Sequence, residues 1–326
     1  MIWLWLGFFL LILFFLALDL GVFNRRPHKI GLKEAMGWSV FWIAIGISFS
    51  GVVYLIYECH WCGAAVASST GEFVKDGWLA VIQYLTAYIL EKSLSIDNIF
   101  VMSMIFTSFG INAKYQHRVL YWGIVGAIIF RVIFIAGGVW LVSRFDWIFY
   151  IFGAYLVYTG IRLIGAHQKK PSPEDSWVMR AVRKAIPLAS GDHGHRFTAR
   201  EGGKFVFTTL TMALIAIEIS DVIFAVDSIP AVLAISTDTF IVVTSNIFAI
   251  LGLRSLYFVV ADMINRFRYL SAAMSVILIL IGAKMLAHHF LKVPNVVSLA
   301  VVGGVVAAGI IASLLIKEKE KDKSSE

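Results

Sequence analysis

A chain of 326 residues, 59% hydrophobic and only 15% charged, is far from the composition of a soluble domain, where roughly 25% of residues carry charge. Several apolar runs reach the roughly 20 residues that cross a bilayer, so the length describes one helical membrane bundle and not two soluble domains. The net charge of +7 is then a matter of membrane orientation, and no nucleic-acid partner is expected.

The first apolar segment, residues 2–23, reads IWLWLGFFLLILFFLALDLGVF. A cleaved leader would have a basic start and a small-residue cleavage site. This segment has neither and contains Asp19, so it is expected to remain as a first helix. A second segment covers 37–57. The loop after it holds ECHWCG, with Cys59, His60 and Cys62. One CxxC supplies half of a four-ligand zinc site. A loop disulfide or idle thiols is the expectation, with a metal role as the alternative.

The third segment, 78–108, contains EKSLSIDNIFV with Glu91, Lys92, Asp97 and Asn98. The fourth, 118–142, carries Arg131, and the fifth, 146–167, carries Arg162. Residues 168–204 are polar and basic and read as a cytoplasmic linker. Its GDHGHRF offers His193 and His195 to a metal, though a solvated loop suffices to explain it. The sixth segment, 205–235, holds Glu218, Asp221 and Asp227. The seventh, 240–262, holds Arg254, the eighth, 270–290, Lys284, and the ninth spans 295–316. Residues 317–326 form a charged tail expected to be disordered.

These runs are too long and continuous for barrel strands. The expectation is an all-α polytopic membrane protein with about nine transmembrane helices. Alternate loops hold 20 Lys and Arg residues against 3 in the opposite ones. The positive-inside rule then places the N-terminus out and the C-terminus in.

An internal repeat divides the chain. Glu91 and Asp97 are six apart, as are Asp221 and Asp227. GAIIFR ends at Arg131 and AILGLR at Arg254. YLVYTGIRLIGAH carries Arg162 and ILILIGAKMLAHH carries Lys284. The order is the same in both copies, and each copy is three helices long, so the second starts from the opposite side. The organisation read from this is two leading helices over 1–57, an inverted three-helix repeat at 78–167 and 205–290 around the linker, and a final helix at 291–316. Inverted repeats are the construction many secondary transporters use for alternating access.

Ionisable groups at membrane depth are costly and face a path or each other. Glu91 and Asp221 fall near the midplane. Asp97 lies about 9 Å toward the cytoplasm and Asp227 a similar distance outward, at 1.5 Å per residue. Glu218 shares a face with Asp221. Pro230 lacks the N–H that would bond the Val226 carbonyl, which predicts a break beside Asp227. Asn98, Ser228 and the hydroxyls of Ser93, Ser95 and Ser220 complete a set of hard oxygen donors, suited to manganese, magnesium or calcium. The competing reading is that the acids merely pair with Lys92, Arg131 and Arg254.

EKSLSIDNIFV, IEISDVIFAVDSIPA, TSNIFAILGLRSLYF, FDWIFYIFGAYLVYTG and the Asp of LALDL resemble the TerC family, named for tellurium resistance. The likeness covers nearly the whole chain. The resemblance implies a multi-pass protein of the bacterial cytoplasmic membrane that exports manganese. Its acidic positions match Glu91, Asp97, Glu218, Asp221 and Asp227. Asp19, nearer the cytoplasmic end of its helix, is expected to gate access. The partners implied are a divalent cation and membrane lipid, with the oligomeric state open. Manganese(II) enters as transported ion and no prosthetic group is expected. The alternatives are a proton-coupled calcium or sodium exchanger, or an interaction protein that delivers metal to exported enzymes. No buried nucleophile with an adjacent base and no HExxH occurs, so no enzyme is expected.

Overall fold

Long apolar runs in a bilayer satisfy their backbone internally as helices, and the described residues are mostly helical. The computed structural model describes residues 2–21, 31–67, 73–74, 76–145, 147–165, 196–201, 204–262, 268–287 and 293–315. The first 28 residues of the linker (168–195), with His193 and His195, lie outside them, as do the tail and the Cys62 side chain. The helices are α1 (Ile2–Gly21), α2 (Leu32–Glu58), α3 (Gly77–Ser108), α4 (Ala113–Arg144) and α5 (Ile148–Gly165). They continue with α6 (Thr209–Leu233), α7 (Thr239–Ile250), α8 (Leu253–Asp262), α9 (Arg268–Leu286) and α10 (Asn295–Leu315).

Five of these, α1, α2, α4, α6 and α10, are long and apolar enough to cross a membrane. The pair α7 and α8 makes a sixth if counted together, bent by 46°. The apolar parts of α5 and α9 are shorter. α3 is 32 residues long but carries Glu91, Lys92 and Asp97 within it. Large apolar side chains such as Trp3, Val40, Ile133, Trp140 and Tyr158 are exposed on the outside. So much exposed apolar surface suits lipid and not water. Trp61, Trp78 and Trp147, exposed near helix ends, are of the type that anchors at a membrane interface.

Local chemistry starts the central helices. Asp76 Oδ1 accepts from the Leu79 amide at 2.8 Å and caps α3. Asn112 Oδ1 accepts from the Lys114 amide at 3.2 Å at the start of α4. Asp238 Oδ1 accepts from the Phe240 and Ile241 amides at 2.9 and 3.2 Å and caps α7. Such caps satisfy amides that have no partner within the helix. Burial raises the Asp238 carboxyl pKa, while its bonds to Tyr57 and the two amides pull the other way.

α3 is the hub, packing against α2, α6, α7, α8 and α10, while α4 lies along α6, α7 and α8. Every residue of α7 from Phe240 to Ile250 is buried. Phe49 of α2 meets Phe248 of α7 with ring centroids 4.5 Å apart, and Phe8 of α1 completes the group at 6.2 Å from Phe248. Two short antiparallel ribbons sit in the connections: β1 (Val66–Ala67) with β2 (Phe73–Val74), and β3 (Thr198–Glu201) with β4 (Lys204–Phe207). The second ribbon occupies the end of the expected linker and delays α6 to Thr209.

Glycines set how closely helices approach. A Cβ on Gly282 of α9 would lie 2.7 Å from the Gly153 carbonyl oxygen of α5, and one on Gly160 2.8 Å from the Ser275 carbonyl oxygen. Residue numbers rise on one helix as they fall on the other, so α5 and α9 run antiparallel. Gly160 and Gly282 each stand two residues before Arg162 and Lys284, the matched bases of the repeat. Gly153 and Ser275 each stand nine before them. The two contacts are therefore each other's counterpart under exchange of the copies. In contrast, α4 and α6 run parallel: Gly123 faces Ile217, Gly126 faces Glu218 and Gly138 faces Leu233.

Two expectations change here. α6 remains helical through Pro230, because one missing donor is tolerated inside a membrane bundle where neighbours and local adjustment compensate. The break falls instead within the expected seventh segment, at Leu251 and Gly252. Gly252 adopts φ +79°, a conformation that L side chains resist.

Candidate cation site

Glu91 of α3 and Asp221 of α6 meet at Arg131 of α4. Its side chain is 1% exposed, so it cannot turn to water and must find anions inside. Nη1 forms an ion pair with Glu91, which is itself fully buried, and donates to Asn246 Oδ1 at 3.0 Å. Nη2 reaches Asp221 Oδ1 at 3.4 Å. Asn98 Nδ2 reaches the same oxygen, also at 3.4 Å. Glu91 and Asp221, the matched acids of the two copies, thus share one guanidinium.

Glu218 stands one turn before Asp221 on the same face of α6. Its carboxylate fits against Gly126 of α4, where a Cβ would come within 2.1 Å of Oε1. Glu91 Oε2, Asp221 Oδ2, Glu218 Oε2 and Asn98 Oδ1 are buried with no hydrogen-bond partner among the described residues. Buried polar atoms are rarely left so, and these four are all hard oxygens. Among the described residues, however, no three His, Cys, Asp or Glu side chains converge to hold a metal ion. The arrangement is closed on Arg131.

The other expected residues are placed more loosely. Asp227, half-buried, accepts from the Tyr155 hydroxyl of α5 at 2.5 Å. Asp97 is half-buried further along α3. Ser228 is buried with its hydroxyl unpartnered among the described residues. Ser93, Ser95 and Ser220 donate to the carbonyls of Ile89, Glu91 and Ala216 on their own helices.

Two expected charge partners act elsewhere. Arg254 serves Asp19: Nη2 meets Asp19 Oδ1 at 2.5 Å and its backbone oxygen at 3.1 Å. Nη1 lies 3.0 Å from His117 Nε2. This second cluster ties α1 to α4 and α8 and is separate from the first. Lys92 turns away from Glu91 and donates to the backbone carbonyls of Ala249 and Leu251 at 3.0 and 3.1 Å. Sequence reasoning missed Asn246, Gly126 and His117. Asn246 was detectable as an amide beside Thr244 and Ser245 within an apolar segment. Gly126 had no signal without its neighbour Glu218.

An apolar helical bundle in which two buried carboxylates, Glu91 and Asp221, share one buried arginine, with Glu218 one turn from Asp221, defines a polytopic integral membrane protein with an ionic centre. The chain belongs to the integral membrane protein TerC family, whose profile matches residues 76–321. It is 44% identical over 312 residues to membrane protein STKORF319 of Myxococcus xanthus, covering 96% of this chain and 92% of that one. It is 41% identical over 309 residues to an Escherichia coli K12 protein named "Putative membrane-bound redox modulator Alx", with 94% and 93% covered. A Rickettsia felis membrane protein is 39% identical over 313 residues, with 96% and 98% covered. No solved structure matches the chain.

Proposed function

We propose that this protein exports divalent cations, manganese foremost, from the bacterial cytoplasm by proton antiport through the Arg131 centre. One observation carries the reading. Glu91 and Asp221 share the single positive charge of Arg131, and Glu218, one turn before Asp221, brings the negative charges of the centre to three when all are ionised. The remaining two negative charges are what a divalent cation neutralises. Several carboxylates this close cannot all ionise without a cation, so protons and metal compete for them, which is the basis of exchange. In the closed arrangement Arg131 is the resident cation. A metal ion takes its place at Asp221, with Asn98 Oδ1 and Glu218 as further oxygen ligands. Asp97 and Asp227 line the approaches, and Asp19 with Arg254 gates one end.

The same reading gives nine spans, counting α3, α5 and α9 with the six apolar ones, and an N-terminus outside. The antiparallel, exchange-matched contacts of α5 and α9 support inverted repeats, since parallel repeats would align those helices.

The test is flux of manganese, calcium, iron, zinc and sodium into proteoliposomes with and without a pH gradient at matched membrane potential. Manganese flux driven by the gradient is expected, with Asp221→Asn at least about tenfold slower, because it removes one of the charges that offset the cation. Manganese flux equal to that of protein-free liposomes, or unchanged in Asp221→Asn at equal protein, would reject the proposal.

A further inference from the structure

The bend between α7 and α8 has a cation in it, and the cation is a side chain. A helix that ends leaves its last carbonyls without amide partners and presents the negative end of its dipole. Here α7 ends at Ile250 in a fully buried stretch, where unsatisfied carbonyls are costly. Leu251 is extended, at φ −57° and ψ 132°. Gly252 turns the chain at φ +79°, so tightly that a Cβ would lie 2.5 Å from Trp42 Cβ. Its own carbonyl is taken by the Leu256 amide at 3.0 Å. The carbonyls of Ala249 and Leu251 converge instead on Lys92 Nζ. Among the described residues no carboxylate partners this ammonium; the nearest acid in the chain, Glu91, is committed to Arg131.

Unwound carbonyls and half-helix C-termini inside membrane bundles are the typical coordination sites of monovalent cations. The Lys92 ammonium meets this one as such an ion would, through carbonyl oxygens alone. We propose that the α7–α8 break is a monovalent-cation site filled by a tethered ion, the Lys92 ammonium. The charge stays with the protein, so the wild-type break needs no free cation. Truncating Lys92 opens the site to a small free one. The inference stands apart from the transport proposal, because it concerns what holds the bend and not what is carried.

The experiment measures the thermal unfolding midpoint of purified full-length protein in detergent, at constant ionic strength, in chloride salts of choline, sodium, potassium and methylammonium. Wild type and Lys92→Arg should show the same midpoint in all four. Lys92→Ala should fall by about 5 °C in choline, which is too bulky for the site, because it loses two charge-assisted hydrogen bonds. Its midpoint should climb back, with saturation, as methylammonium, potassium or sodium replaces choline. A Lys92→Ala midpoint equal to wild type in choline, or one that falls and recovers with none of the three cations, overturns the proposal. Should Lys92→Ala fail to accumulate, Lys92→Ser purified throughout in methylammonium and then exchanged into choline gives the same decision. A drop on exchange supports the site, and an unchanged midpoint rejects it.

Discussion

Gly126→Ala separates the position of the Glu218 carboxylate from the stability of the bundle. The new methyl would lie 2.1 Å from Glu218 Oε1 and 2.4 Å from both Cδ and Oε2. Carbon and oxygen come to rest near about 3.3 Å, so Oε1 must retreat by about 1.2 Å. Because the obstructing group is the far end of a flexible side chain, the retreat costs about 1 kcal/mol as a displaced rotamer. Alanine returns up to about 1 kcal/mol of helix propensity over glycine. The two nearly cancel, and the unfolding midpoint should move by only a few degrees. A ligand set displaced by about 1 Å loses much of its function, and manganese flux should fall at least about tenfold. Gly138→Ala is the control: its methyl meets only Leu233 and Ile229, at 3.0 and 3.4 Å, and flux should be unchanged. Adding Glu218→Asp to Gly126→Ala shortens the side chain, relieves the overlap and should restore part of the flux. Wild-type flux in Gly126→Ala at equal protein would refute the reasoning. So would a loss of flux that follows a loss of folded protein.

Arg131→Met should lower membrane abundance sharply, since it strands Glu91 and Asp221 in the interior at a cost of about 3–5 kcal/mol. Adding Glu91→Met removes a second charge and should recover part of the abundance, read by quantitative immunoblot of membranes; no recovery would show that the pair is not what Arg131 serves. On the α5–α9 seam, Gly282→Ala places a methyl 2.7 Å from the Gly153 carbonyl oxygen and 2.9 Å from the Val157 amide. Rigid backbone cannot give way as a side chain does, so about 1–3 kcal/mol of destabilisation is expected. Gly303→Ala on α10 meets nothing within 4 Å and should leave the midpoint unchanged or slightly higher.

The sequence by itself determined that the chain is a bundle of apolar, membrane-length helices and where most of them lie. Hydropathy is a sum of local transfer free energies, so it can be read in one dimension. The matched spacing of Glu91–Asp97 and Asp221–Asp227 is likewise a one-dimensional feature, and from it came the expectation of two repeated halves. Only the tertiary structure decided which base serves which acid. Lys92 is next to Glu91 in the chain, yet Arg131 takes Glu91 and Asp221 together, and Arg254 goes to Asp19 on α1. The sequence also put the helix break at Pro230, whereas it falls at Gly252. Proline's missing donor is a local fact. Whether a buried break is tolerable depends on what reaches the freed carbonyls, and at Gly252 a distant lysine, Lys92, arrives to satisfy them.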